Sequence, residues 1–264
     1  MKIKGKTFLL TGGGSGIGRE LCLRLVQRGA YVIILDISDD SMQETKRLAG
    51  DKENQIGTFR VNLENKDEIF AFHDQLMKSG HVIDGLINNA GIIQPFVSVN
   101  DLQIEAAERV VKINFLGMYY LTKALLPHLL SRPEAHIVNI SSMGGFIPFP
   151  GQTIYSASKA AVKIFTEGLF AELLDTNVRV TLIMPGAVRT NIAGNSGVSV
   201  QMADDRASAY QAMPAEKAAE IILQGIEKNK PRVLVGSDAR FLDLFYRINP
   251  VKAVRYIVSK IKNL

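Results

Sequence analysis

The chain has 264 residues, of which 47% are hydrophobic and 22% charged, with a formal net charge of +5. That balance suits a soluble globular protein able to bury about 70–75% of its unfolded surface around one core. No apolar run reaches the roughly 18 residues of a membrane span, and Met1-Lys-Ile-Lys-Gly-Lys6 lacks the apolar stretch of a secretory leader, so a cytoplasmic location is expected. Cys22 is the only cysteine, which excludes an internal disulfide, and its place in the first helix suggests a small core residue. His73, His81, His128 and His136 show no close ligand spacing, and no metal is expected. The modest basic excess could draw phosphorylated or acyl-carrier substrates, but a solvated surface explains it more simply, and no nucleic-acid partner is expected.

In chain order, the apolar run Lys6-Thr-Phe-Leu-Leu10 leads into Thr11-Gly12-Gly13-Gly14-Ser15-Gly16-Ile17-Gly18. A helical pattern follows, with Leu21, Leu25 and Val26 on one side and Arg19, Glu20, Arg24 and Arg28 largely on the other. In this order of strand, turn and helix, glycines let a pyrophosphate approach the backbone at a helix N-terminus. The second run, Tyr31 to Leu35, ends in Asp36, 20 residues after Gly16, where a carboxylate can accept from an adenosine ribose. Strands are expected near 6–10, 31–35, 56–61, 83–87, 135–140, 178–183 and 232–236. Helices are expected over 17–28, 41–49, 65–79, 101–131 with a break allowed, 153–175 and 214–228. This alternation predicts an α/β fold: a doubly wound, mainly parallel, seven-stranded Rossmann-type sheet with helices on both faces. One domain spans 1–264, with a helical extension at about 238–264. Within the long helix after Gln152, Tyr155 and Lys159 are four residues apart, so they share a face with Cβ atoms about 5–6 Å apart. A phenol ordinarily has a pKa of about 10, and the adjacent ammonium is expected to lower it.

Several motifs now stand in sequence: Thr11-Gly12-x-x-x-Gly16-x-Gly18, Asn88-Asn89-Ala90-Gly91, Asn114, Asn139-Ile-Ser-Ser142, Tyr155-x-x-x-Lys159 and Pro185-Gly186. From Lys4 to about Gly236 the chain resembles the compact branch of the short-chain dehydrogenases/reductases, including the 13 residues that separate Ser142 from Tyr155. The resemblance implies hydride transfer between a nicotinamide cofactor and a carbonyl or secondary alcohol, with Tyr155 as general acid and base. It also implies that Ser142 polarises the substrate oxygen and that Lys159 bonds the nicotinamide ribose. Asn114 would hold a water between Lys159 and solvent, the alternative being a buried amide bonded to neighbouring backbone. Cofactor contacts are implied at Thr11, Gly12, Ser15, Gly16, Ile17, Gly18, Asp36, Asn62, Leu63, Asn89, Ala90, Gly91, Tyr155, Lys159, Pro185, Gly186, Val188 and Thr190. Asn62 departs from the aspartate that relatives often place against the adenine, and Asn88 is expected to brace strands. A non-catalytic NAD(P)-binding sensor is the alternative function, but it has no need for the Ser–Tyr–Lys set.

NAD is expected over NADP, because a 2′-phosphate would meet Asp36 while Ser15 and Ile37 occupy the positions where NADP-preferring relatives carry bases. Arg19 lies one turn too far into the helix to take their place. Phe146, Ile147 and Phe149 either wall an apolar substrate site or pack beneath their loop, and residues 191–213 are expected to form a lid. A largely apolar substrate is expected. The tail from Ala239 carries six bases and one acid between apolar residues, with two helices divided near Pro250. Packing on the domain or a sister subunit is expected there, peripheral membrane contact being the less favoured alternative. By resemblance the protein forms a homodimer or homotetramer through the helices bearing Asn114 and Tyr155.

Overall fold

The computed structural model describes residues 1–198 and 212–262. Its main strands are β1 (Thr7–Thr11), β2 (Tyr31–Asp36), β3 (Ile56–Arg60), β4 (Gly85–Asn88), β5 (Ala135–Ile140), β6 (Val178–Pro185) and β7 (Arg232–Val235). They lie in the order β3-β2-β1-β4-β5-β6-β7, and every pair is parallel. The helices are α1 (Gly16–Gln27), α2 (Asp39–Leu48), α3 (Lys66–Lys78), α4 (Ile104–Val111), α5 (Met118–Leu130), α6 (Thr153–Glu172), α7 (Ile192–Asn195), α8 (Ala215–Glu227), α9 (Ser237–Ile248) and α10 (Pro250–Lys262).

Successive strand residues point to opposite faces, so a sheet buried on both sides needs continuous apolar runs. Phe8, Leu10, Val32, Ile34 and Ile87 join one core with Leu21 and Leu25 of α1 and Ile222 of α8. Leu9, Ile33, Leu35 and Leu86 face the other core, where α3, α5 and α6 contribute Ile69, Leu125 and Leu169. The chain order reverses between β1 and β4, which opens a crevice at the carboxyl ends of these strands.

Sequence and structure agree on the seven strands, and element ends shift by at most three residues. The long helix expected over 101–131 divides into α4 and α5 around a π-helical turn, Lys112–Gly117. That turn buries Asn114, and Gly117 packs against the Leu63 carbonyl, where a Cβ would collide. In the tail, Pro250 opens α10 at a position where its missing N–H costs no helix bond. Asn249 accepts from the Lys252 N–H at 2.9 Å. Leu242, Ala253 and Ile257 of the tail pack on Ile147, with Met143, Phe146 and Phe149 beside them. The extension therefore lies against the domain. The three loop residues near Phe146 pack beneath it, and none of them lines the crevice.

Candidate active site

Thr11 ends β1 with its side chain buried, and its Oγ1 accepts the N–H groups of Asn89 and Ala90, each at 3.0 Å. Asn89 Nδ2 donates in return to the carbonyls of Thr11 and Gly12, at 3.0 and 3.1 Å. These four bonds fasten the glycine turn to the turn after β4. Gly12 and Gly16 have φ of 68° and 53°, the left-handed region open to glycine. Gly18 lets α1 approach so closely that a Cβ would run into the Gly12 carbonyl oxygen. Ser15 precedes α1 without a side-chain cap, which leaves first-turn N–H groups beside the crevice for an anion. The turn thus fits a dinucleotide pyrophosphate.

One crevice of about 440 Å³ is lined by every site residue named from the sequence except Thr11, Gly18 and Asn114. At its adenosine end Asp36 accepts from the Gly14 N–H (2.9 Å) and the Ser38 N–H (3.2 Å). Arg19 folds back on the turn: its Nη2 donates to the Gly14 carbonyl (2.6 Å) and its Nε to Thr45 Oγ1 (3.1 Å). Asn62 lines the crevice while its Oδ1 accepts from the Glu64 N–H at 3.0 Å. Asn88 lies deeper, its Nδ2 donating to Asn139 Oδ1 (2.8 Å) and Thr122 Oγ1 (3.0 Å), so it braces β4 against β5 and α5.

Ser142, Tyr155 and Lys159 converge at the other end. Ser142 follows β5 and its Oγ accepts from the Gly144 N–H at 3.0 Å. Burial pushes the Tyr155 phenol above its usual value, and its hydrogen bond with Ser142 pulls the other way. Lys159 is buried with Nζ donating to the Ile140 carbonyl at 3.0 Å, and burial draws its pKa down to about 8. The expected depression of the phenol by this ammonium is therefore corrected: desolvation dominates both groups, and one of the three Lys159 N–H donors is taken by the end of β5. Asn114 bonds neighbouring backbone and one side chain. Its Oδ1 accepts from the Ile92 N–H (2.8 Å), while Nδ2 donates to the Ile92 carbonyl (2.9 Å) and Ser158 Oγ (3.0 Å).

Three further contributions are not apparent in the motifs. Gln94 is fully buried, and its Oε1 accepts the N–H groups of Ile154 (2.8 Å) and Tyr155 (3.1 Å) at the start of α6. Asp238, the second residue of α9, accepts from the Ala187 N–H at 2.7 Å and packs on Gly186. Residues 191–198 cross the crevice, with Asn195 Nδ2 donating to Ser15 Oγ (2.7 Å) and Ser196 Oγ accepting from the Ile93 N–H (3.0 Å). Most of the expected lid, residues 199–211, lies outside the described residues. Thr190 stands against Gly16, and Val188 pairs with Met213 in a short parallel bridge. Cys22 is buried in the core, as expected, with its thiol pushed up to about 12 by desolvation.

Residues 6–200 match the family model for short chain dehydrogenases. SadH of Mycobacterium tuberculosis is 34% identical over 255 residues, covering 93% of this chain and 91% of its own. The fatty acyl-CoA reductase of Acinetobacter baylyi is 31% identical over 252 residues, covering 94% and 81%. A short-chain dehydrogenase from Sphingobium yanoikuyae in complex with NADPH is 25% identical, with a TM-score of 0.79 over 94% of this chain and 95% of its own. With the seven-stranded parallel sheet and the crevice at its switch point, these likenesses establish that the chain belongs to the short-chain dehydrogenase/reductase family of NAD(P)-dependent oxidoreductases.

Proposed function

We propose that this enzyme interconverts a secondary alcohol and a ketone of apolar, lipid-like type, using NAD and Tyr155 as the proton-transfer residue. The observation that carries the reading is the meeting of the Ser142 and Tyr155 hydroxyls and Lys159 in the crevice that the glycine turn opens. The nicotinamide, when bound, supplies the hydride donor or acceptor. Ser142 donates a hydrogen bond that orients the substrate oxygen. In reduction the Tyr155 phenol gives its proton to that oxygen as the carbon gains hydride; in oxidation the phenolate takes it back. Lys159 keeps its ammonium near neutral pH, and the N–H groups not used by the Ile140 carbonyl are left to bond the nicotinamide ribose. Asn114 acts by fixing Ile92 and Ser158 around this site.

Two features favour NAD over NADP. Asp36 sets a carboxylate in the adenosine end, where a 2′-phosphate would be repelled. Arg19, the nearest base on α1, is turned onto Gly14 and Thr45. The apolar substrate class is supported by the Acinetobacter relative, a fatty acyl-CoA reductase, and by the apolar Ile113, Ile140 and Ile192 in the crevice lining. A homo-oligomer through α6 is supported by an exposed stripe of small or apolar residues, Ala157, Ile164, Gly168 and Ala171, at helical spacing.

The test is a panel of ketones and alcohols followed by nicotinamide absorbance with both cofactors. Tyr155→Phe should lower kcat by roughly 10²–10⁴-fold, the usual share of general acid–base catalysis, with cofactor affinity retained. Undiminished turnover in that variant would refute the mechanism. Asp36→Ala should narrow the preference for NAD; a large native advantage for NADPH would overturn the cofactor assignment without touching the role of Tyr155.

A further inference from the structure

The tail has an inner face that packs on the loop after Ser142 and an outer face open to solvent, where Phe241 meets Phe245 and Tyr256 of the tail itself. On the outer face Phe241, Leu244 and Ile248 repeat at helical spacing along α9, and Val251 follows at the start of α10. Their exposures of 53%, 61%, 74% and 59% place four large apolar side chains in water on one helical hairpin. Packing on the domain is thus a full account of Leu242, Ala253 and Ile257 but of none of these four.

Charge on the same hairpin has one sign. Arg240, Lys252, Arg255 and Lys260 are exposed and make no salt bridge among the described residues. The two acids of the hairpin are turned inward. Asp238 accepts from the Ala187 N–H, and Asp243 is buried between Arg232 (3.0 Å) and Arg247 (3.1 Å). A surface of protruding apolar side chains among bases that form no salt bridge, with no free side-chain carboxylate among the described residues, matches the layered chemistry of an anionic lipid surface: acyl chains below, phosphates above. A second copy of this chain is a poor occupant, because a two-fold contact sets the same patch against itself and brings base against base.

We infer that the α9–α10 hairpin docks the enzyme peripherally on anionic bilayers, with Phe241, Leu244, Ile248 and Val251 entering the interface and the four bases holding lipid phosphates. The inner face of the same helices touches Met143, Phe146 and Ile147, so the docked surface is continuous with the loop that presents Ser142.

The experiment uses the full chain and vesicles of phosphatidylcholine alone or with phosphatidylglycerol, read by co-sedimentation. Activity is not involved, so failure here and failure of the proposed reaction are separable. Binding is expected to the mixed vesicles, to fall steeply with salt, and to drop by about tenfold or more in Leu244→Glu/Ile248→Glu and in Lys252→Glu/Arg255→Glu. All substituted side chains are exposed, and thermal melting checks that the variants stay folded. Absence of sedimentation with the mixed vesicles overturns the proposal, as does equal binding to neutral ones. Concentration-dependent self-association by ultracentrifugation, lost in Leu244→Glu/Ile248→Glu, would assign the face to a second copy and also overturn it.

Discussion

Gln94 shows how one side chain can hold a catalytic helix from outside it. Helix α6 begins without a side-chain cap of its own, since Gln152 at the cap position turns its Nε2 to the Gln94 carbonyl at 2.7 Å. Gln94, three residues beyond the Gly91 turn, supplies the missing acceptor to Ile154 and Tyr155. The backbone of Tyr155 is thereby tied to the loop that borders the cofactor crevice. Gln94→Leu removes that acceptor and leaves two helix N–H groups unpaired, at a cost of about 1–3 kcal/mol for each buried group so orphaned. A lower melting temperature and a kcat reduced by about tenfold are expected, with cofactor affinity held, while Gln94→Glu keeps the acceptor and most of the activity. A Leu variant with native kcat would show that the phenol does not depend on this cap.

At the scale of elements, most of the fold was legible because its signals are local. Both faces of the sheet are buried, so β1 and β2 read as apolar runs bounded by turns. Glycines that must adopt left-handed φ, or admit a neighbouring backbone, mark the cofactor turn as plainly. The spacing of Tyr155 and Lys159 survives because an α-helix places residues four apart on one face. The rest depends on partners distant in sequence. Whether Lys159 faces the phenol or the Ile140 carbonyl is decided by the end of β5, and a backbone oxygen has no sequence signature. The π-helical turn around Asn114 reflects contacts with Ile92 and Ser158, which no periodicity within 101–131 reveals. Asp238 likewise looks like an ordinary first-turn acid of α9. Only the closeness of β6 to β7 brings it onto the Gly186–Ala187 turn, so the tail supports the site from two sides, through Asp238 and through Ile147.

At the scale of the whole molecule, the parallel sheet buries polar groups whose protonation is then linked to folding. His136, on β5 in the middle of the sheet, is fully buried; its Nε2 lies 2.8 Å from Thr181 Oγ1, and Nδ1 has no partner. Desolvation holds its pKa down to about 3, with the N-terminal ammonium and Arg179 acting in the same direction. The folded value is below the unfolded value of about 6.5. Between those limits the unfolded chain binds a proton that the native imidazole refuses, so stability present above about pH 6.5 is lost as pH falls toward about 3. From pH 7 to pH 5 this one group should remove about 2 kcal/mol. His136→Gln cannot titrate there, so whatever its stability at pH 7, it should lose about that much less than the native protein over the same interval. Urea unfolding of both proteins at pH 7 and pH 5 measures the difference. Equal losses would mean that His136 is protonated in the folded state, a result that requires water or an acceptor at Nδ1.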